Sequence, residues 1–208
     1  MEELHLFVYG EVGGIFGEGV TADEIQKEIQ NNPDAKEIVV HISSPGGGVF
    51  EGWTIGNILK NSGKKTTARI EAFCASIATY IALSCDRVEM AETGRFMIHN
   101  PTLGLEGEEA DMAKAQEQLS KIKDDLINIY RAKTGLSVNQ LSKMMDEETW
   151  FDAKEAKSNG FVDGFMTPLK AVAKYDLKID KMSKEKDLKA KESMLDSLLN
   201  KGRLILLN

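Results

Sequence analysis

The chain has 208 residues, of which 42% are hydrophobic and 28% charged, and its formal net charge is −7. These values are typical of a globular protein with one principal domain and a full core. The negative charge argues against a nucleic-acid partner, because binding a phosphate backbone requires clustered Lys and Arg, which this chain has only near its C-terminal end. No apolar run approaches the ~20 residues that span a bilayer, and Glu2 and Glu3 stand where a signal peptide carries basic residues. We therefore expect a cytoplasmic protein without a membrane partner.

The cysteine content is low, and it does not suggest a disulfide framework. Cys74 and Cys85 are the two cysteines of the chain. A disulfide scaffold needs more cysteines in a small secreted chain, whereas single buried thiols behave as small hydrophobic residues. We expect both to be buried and unpaired in a reducing compartment.

The first part of the chain alternates β-rich and helical segments. Residues 36–42 are rich in β-branched side chains and end in the loop Ser-Ser-Pro-Gly-Gly-Gly, after which residues 49–60 have helical spacing. Residues 66–73 repeat this design and run into the apolar segment 76–85, which is too hydrophobic for a surface helix. Such alternation predicts an α/β fold with mostly parallel strands and right-handed crossovers.

Further along, two short strands are predicted at residues 86–90 and 95–99, and Pro101 disfavours helix at the residue before it. Residues 108–133 then have the spacing of a long amphipathic helix. Its apolar seam consists of Met112, Ala115, Leu119, Ile122, Leu126 and Ile129. This seam needs a partner surface, which is either the rest of its own domain or a second subunit.

The remaining elements are predicted from capping patterns. Ser137 begins a helix that runs toward Met145, and Asp152 and Glu155 form the capping box of a short helix. A last strand is expected at residues 161–162.

The C-terminal segment differs in character from the rest of the chain. Beyond about residue 175 it becomes highly charged and weakly periodic, and it ends in the apolar run Leu204–Leu207. We predict a globular domain over residues 1–175 and a charged tail over residues 176–208. The tail is either solvated and partly helical, or it docks its terminal leucines on a neighbouring subunit.

Ser76 is the candidate nucleophile, since it falls at a predicted junction of strand and helix. A serine at a helix start is commonly only an N-cap. Here, however, Cys74, Ala75 and Ala78 are small and leave room for a substrate carbonyl, and the start of a helix directs partial positive charge at an oxyanion.

His99 is the best candidate for a general base among the three histidines, because His5 and His41 lie in strand-like runs with no adjacent loop. The alternative is a histidine of the core at a strand end. The glycines at 46–48 either form a tight turn or bring backbone amides close to a ligand. Their spacing is not that of a dinucleotide or phosphate loop, and no cluster has metal-ligand spacing, so no cofactor and no metal are expected.

Four ordered motifs resemble the Clp protease proteolytic subunit family. They are Ser43-Ser44-Pro45-Gly46-Gly47, Cys74-Ala75-Ser76-Ile77-Ala78, Met97-Ile98-His99-Asn100-Pro101 and Phe151-Asp152-Ala153-Lys154-Glu155-Ala156, the last followed by Gly160-Phe161-Val162-Asp163. Within that family, the Glu-Thr-Trp at 148–150 and the short segment before the first strand resemble the phage and prophage head-maturation branch. The resemblance covers roughly residues 4–163.

The resemblance implies a serine endopeptidase with Ser76 as nucleophile, His99 as general base, and the backbone amides of Gly47 and Ile77 as the oxyanion hole. The family's acid falls at Glu148 in this chain. A glutamate has one more methylene than the family's aspartate, and Asp146 is the substitute if Glu148 points into solvent.

The resemblance also implies a crotonase-like αβ repeat whose long helix, about residues 108–134, projects as a handle. Such handles interleave in a heptameric ring or a double ring, and the substrate is an extended polypeptide that pairs with a sheet edge. The partner is an unfolding ATPase or the capsid and scaffold proteins of a phage, and the short N-terminal segment puts ATPase coupling in doubt. The alternatives are a catalytically silent ring subunit and a crotonase-type acyl-CoA enzyme.

Overall fold

The structure, a computed structural model, describes residues 3–14 and 19–166, which form one seven-stranded sheet and six helices. The strands are β1 (Glu3–Val12), β2 (Glu37–Gly47), β3 (Lys65–Ala75), β4 (Arg87–Met90), β5 (Arg95–Ile98), β6 (Thr149–Asp152) and β7 (Gly164–Phe165). The helices are α1 (Ala22–Asn31), α2 (Val49–Asn61), α3 (Ile77–Leu83), α4 (Glu109–Thr134), α5 (Val138–Asp146) and α6 (Ala153–Ser158). None of these helices combines the length and the apolar character needed to cross a bilayer.

The sheet confirms the predicted α/β fold with mostly parallel strands. Its order is β1-β2-β3-β4-β7, and all of these neighbours pair in parallel. The first part of β3 pairs with β4, whereas its last residues, Phe73 to Ala75, pair in parallel with β5. β6 adds to β5 in the antiparallel direction. Because neighbouring parallel strands end at the same edge of a sheet, the residues that follow β3 and β5 lie close together.

The core is formed by the sheet, by α3 and by the inner faces of the other helices, and it consists mainly of branched apolar side chains. Ile38, Ile42 and Ile70 of the central strands are fully buried, and such burial is worth about 1.5–3 kcal/mol for each side chain. Residues 77–82 of α3 are buried as well, which confirms that this helix is internal. Gly52 lets α2 approach α3 closely, because a Cβ there would lie 2.4 Å from Cγ1 of Ile77.

The long helix α4 packs along only part of its length. Its buried residues are Leu126, Ile127 and Tyr130, in the C-terminal half. Toward the N-terminus the predicted seam is open, and Met112 is 52% exposed. The C-terminal half of the seam thus packs on its own domain, and the predicted alternative of a second subunit stays a prediction for the more exposed N-terminal half.

Some element boundaries differ from the sequence-based predictions. The strand predicted at residues 161–162 is wrong, because Phe161 is buried against the rings of Phe96, Phe151 and Tyr130, and pairing with β4 begins only at Gly164. The strand β6 was not predicted. The boundary at residue 175 and the charged tail 176–208 lie outside the described residues and stay predictions.

The two cysteines are buried and free, as predicted. Burial raises the pKa of the Cys85 thiol to about 12 and that of Cys74 further still. Both thiols therefore remain protonated and serve as packing groups.

Candidate active site

Ser76 occupies the turn between β3 and α3 in a backbone conformation that is unusual for a residue with a side chain. Its φ of 56° and ψ of −132° lie outside the favoured regions, which costs on the order of 1–3 kcal/mol. Ser76 is the N-cap residue of α3 by position, but its hydroxyl makes no capping bond to the helix. Its N–H donates to the carbonyl oxygen of Met97, at 3.1 Å, which ties this turn to β5.

His99 follows β5 and contacts the Ser76 hydroxyl directly. The distance from His99 Nε2 to Ser76 Oγ is 2.7 Å, which is a short hydrogen bond. The register that pairs Ala75 with Met97 fixes this proximity, since Ser76 directly follows Ala75 and His99 lies two positions after Met97. The structure thus brings together the predicted nucleophile and the predicted base.

Glu148 lies on the other side of the imidazole. Its Oε2 is 4.0 Å from His99 Nδ1, which is beyond hydrogen-bond distance but close enough for electrostatic attraction. The side chain is 58% exposed, and its Oε1 accepts a hydrogen bond of 3.2 Å from Trp150 Nε1. The backbone of Glu148 is left-handed, with φ of 49°, and this residue forms the turn directly before β6.

Asp146, the substitute acid, has other partners. Its Oδ1 accepts hydrogen bonds from Asn100 Nδ2 at 2.8 Å and from Lys123 Nζ at 2.6 Å. These bonds hold the pKa of the Asp146 carboxyl below its usual value. Of the two candidate acids, Glu148 therefore lies beside the imidazole of His99, and Asp146 contacts the residue that follows it.

The glycine loop packs directly against the serine turn. Gly46 has a φ of 94°, and a Cβ at this position would lie 2.6 Å from the Cβ of Ser76 and 2.8 Å from the Ala75 carbonyl oxygen. A Cβ at Gly47 would lie 2.2 Å from the carbonyl oxygen of Val12. The backbone approaches so closely at both positions that only glycine fits, and this close approach holds the loop against the serine turn and β1.

Two backbone amides of the predicted oxyanion hole border this region. Ile77 is the first residue of α3, so its N–H has no acceptor within the helix. Gly47 is the last residue of β2, where it pairs with Val12 of β1, and the next N–H, that of Gly48, donates to Val12 O at 2.8 Å.

A cleft of about 470 Å³ borders the glycine loop. Its lining is mainly apolar, and it includes Gly47, Phe50, Pro101, Leu103 and Ile122. The cleft reaches from the glycine loop to the segment after His99, and its size suits side chains of a bound peptide.

Sequence reasoning missed Ser44 and Asn100, which support the site. The buried Ser44 hydroxyl donates to Gly10 O at 2.6 Å and accepts from the Gly46 N–H at 3.1 Å, so it joins the glycine loop to β1. The contact of Asn100 with Asp146 spans 46 residues of sequence. Both residues lie within recognisable motifs, but their partners depend on the fold.

Comparison with known proteins identifies the family. The Clp protease family model matches residues 2–168. The ATP-dependent Clp protease proteolytic subunit 3 of Rhodococcus jostii is 32% identical over 141 residues, which are 66% of this chain and 69% of that protein. The ATP-dependent Clp protease proteolytic subunit of Leuconostoc citreum is 30% identical over 171 residues, which are 80% of this chain and 84% of that one.

The fold is similar to that of a solved structure as well. A ClpP1 mutant from Listeria monocytogenes aligns with a TM-score of 0.69 and 22% identity, over 78% of this chain and 91% of that one. The predicted ClpP-type fold is thereby confirmed. On the combined evidence of the matching family model and these relatives, the chain belongs to the Clp protease family, a family of peptidases.

Proposed function

We propose that this chain is a serine endopeptidase that hydrolyses extended polypeptides with Ser76 as nucleophile and His99 as general base. The hydrogen bond of 2.7 Å between Ser76 Oγ and His99 Nε2 carries this proposal. A serine hydroxyl is a weak nucleophile, and a neutral imidazole at this distance can accept its proton as the hydroxyl attacks a carbonyl.

The reaction proceeds in two halves. Ser76 Oγ bonds to the carbonyl carbon of the scissile peptide while its proton moves to His99 Nε2. The tetrahedral intermediate then breaks its C–N bond, and the imidazolium donates the proton to the leaving amine. Water, deprotonated by the same imidazole, hydrolyses the acyl ester and releases Ser76.

The negative charge on the tetrahedral intermediate requires donors that are already in place. The amide of Ile77 lies at the N-terminus of α3, where the helix dipole is positive, and Gly47 is next to Gly46, which packs against the serine turn. We assign these two amides to the oxyanion hole. The strained turn at Ser76 serves the same reaction, since its hydroxyl makes no bond to the helix and instead contacts His99 Nε2.

Glu148 is the proposed orienting acid. Its carboxylate attracts the imidazolium that forms during attack and favours the tautomer that carries the proton on Nδ1. The distance of 4.0 Å leaves room for a small movement or a bridging water to complete the contact. Because Glu148 is 58% exposed, its contribution is screened by solvent and smaller than that of a buried acid.

The chain is proposed to act as an oligomer. The exposed half of α4 and the adjoining loop carry the exposed apolar side chains Met112, Leu103 and Leu105, and clustered apolar side chains on a surface are typical of interaction sites. A heptameric ring, single or double, would cover it and enclose the sites. Substrate would then enter as an extended strand and bind through its main chain beside Gly47.

The relatives' names mark them as proteolytic subunits of ATP-dependent proteases. This supports an unfolding ATPase as the source of extended substrate. The role in phage head maturation, with capsid or scaffold proteins as substrate, rests on the resemblance at residues 148–150 and stays a prediction.

The two rival functions are less well supported. A silent ring subunit has no need of a serine in a strained turn within hydrogen-bond distance of a histidine. A crotonase-type acyl-CoA enzyme would use the amides but not the pair of Ser76 and His99.

Hydrolysis of an unfolded protein without disulfides tests the proposal. The wild-type chain should cleave it, and Ser76→Ala and His99→Ala should each reduce the rate by at least about 10³-fold. Ser158→Ala is the matched control, since Ser158 lies on α6 and its hydroxyl bonds only to its own helix. Full activity of Ser76→Ala would refute the proposed nucleophile.

A further inference from the structure

Three polar side chains from separate elements meet next to the proposed base. Asn100 follows β5, Lys123 lies on α4, and Asp146 is the last residue of α5. Asn100 Nδ2 and Lys123 Nζ both donate to Oδ1 of Asp146, at 2.8 and 2.6 Å. The contact joins three segments that otherwise approach the site independently.

The contact with Asp146 orients the amide of Asn100. Oδ1 of Asn100 is buried and has no hydrogen-bond partner in the described part of the chain. Its Nδ2 bond to Asp146 is therefore the bond that fixes the amide plane. Without Asp146 the amide would be unsatisfied at both ends, and the segment would move to reach water or another acceptor.

A displacement of Asn100 passes directly to His99. The two residues share a peptide bond, and Pro101 restricts Asn100 to extended conformations, so residues 99–101 form a stiff segment. His99 Nε2 must stay at 2.7 Å from Ser76 Oγ for proton transfer. A displacement of about 1 Å in such a group can cost about 10²-fold in rate.

Asp146 also lies close to the acid of the proposed site. It ends α5, and Glu148 follows it after one residue with a left-handed backbone. Anchoring the end of α5 thus fixes the start of the turn that presents Glu148. The same carboxylate holds both the segment of the base and the segment of its acid.

We propose that Asp146 is a positioning residue: its hydrogen bond to Asn100 fixes the segment that carries His99, and Lys123 holds its carboxylate in place. This inference rests on the proposed peptidase function. Asp146 does not contact the imidazole in this arrangement, so its effect on the reaction passes through Asn100. The lowered pKa of Asp146 agrees with a carboxylate that stays charged while it accepts both bonds.

Steady-state hydrolysis of a fluorogenic peptide by the full chain tests the inference. Asp146→Ala and Asn100→Ala should each lower kcat by about 10- to 100-fold, with KM changed by less than about twofold. The double variant should be no slower than the slower single variant, because both changes remove one shared contact. Glu147→Ala is the matched control and should retain wild-type kcat. Glu147 is the residue after Asp146, and its carboxylate pairs with Lys143.

Two further variants separate positioning from a general loss of structure. Asp146→Asn keeps the size and the acceptor oxygen and should lose less kcat than Asp146→Ala. The double variant Asn100→Asp with Asp146→Asn swaps the two side chains, so that one again donates and the other accepts across the contact. It should recover much of the kcat that Asn100→Asp alone loses.

Additive losses in the double variant, unchanged kcat in Asp146→Ala, or losses that only follow the unfolded fraction would each overturn the inference. Failure of the proposed function gives a different result, because then either the wild-type chain would not hydrolyse the peptide or hydrolysis would survive in Ser76→Ala, whatever stands at position 146.

Discussion

The close approach of the glycine loop to the serine turn makes Gly46→Ala the most informative single substitution. The added Cβ would lie 2.6 Å from Ser76 Cβ, whereas carbon atoms in contact are about 3.5 Å apart. The turn or the loop must therefore move by about 1 Å. We expect the rate of peptide hydrolysis to fall by about 100-fold, since a displacement of this size breaks the alignment of Ser76 with His99.

The loss of stability has two parts that a control can separate. A left-handed φ costs an alanine roughly 1–2 kcal/mol, and overpacking typically costs a further 1–3 kcal/mol. Gly63 has a similar positive φ of 68°, but nothing in the described part of the chain lies within 4 Å of its Cβ position. Gly63→Ala should therefore show the first cost alone and keep full activity.

Urea unfolding and peptide hydrolysis of both variants provide the measurement. Gly46→Ala should be less stable than Gly63→Ala by about 1–3 kcal/mol, which is the overpacking cost. If Gly46→Ala hydrolyses peptide within twofold of the wild-type rate, the close packing of loop and serine turn does not align the site, and the reasoning fails.

Three further predictions concern the acid, the base and the acid stability of the fold. Glu148→Gln should lower kcat by about 10²-fold, and the control Glu147→Gln should not; equal rates would exclude Glu148 as the orienting acid. Hydrolysis should rise with pH between about 5 and 8, because only a neutral imidazole accepts the serine proton, and a flat profile would contradict His99 as base. Partial burial raises the pKa of Asp163, but hydrogen bonds from Lys133 and a backbone amide outweigh this effect and bring the pKa below its usual 3.8. The stability that Asp163 contributes is therefore present above about pH 5 and lost as pH falls through the lowered pKa. In the wild-type chain the urea midpoint should fall between about pH 5 and pH 2, and Asp163→Asn should make this fall smaller. An unchanged slope of urea midpoint against pH would contradict this.

Much of the fold follows from local patterns. The junction of β3 and α3 was predicted at the right place because a β-branched strand and a fully apolar helix meet at Ser76. The helix start at Ser137 and the capping box of Asp152 with Glu155 are confirmed, since such caps are formed by residues three apart. Contacts within one turn of helix are readable from a single sequence.

The parts that were missed depend on partners distant in sequence. β6 forms because β5 offers it an edge, and Phe161 is buried because three aromatic rings surround it. The choice between Glu148 and Asp146 could not be made from spacing alone. The structure adds the neighbours of each carboxylate: Glu148 Oε2 lies 4.0 Å from His99 Nδ1, whereas Asp146 accepts a hydrogen bond from Asn100, and Glu148 stays the predicted acid.

The contact between Ser76 and His99 is tested most directly by locating the residue that a fluorophosphonate modifies. The probe reacts with a serine whose hydroxyl a neighbouring base activates. Mass spectrometry of the digested, labelled protein should find the phosphonate on Ser76, and His99→Ala should abolish the label. A phosphonate on any other residue, or labelling that survives in Ser76→Ala, would contradict the account.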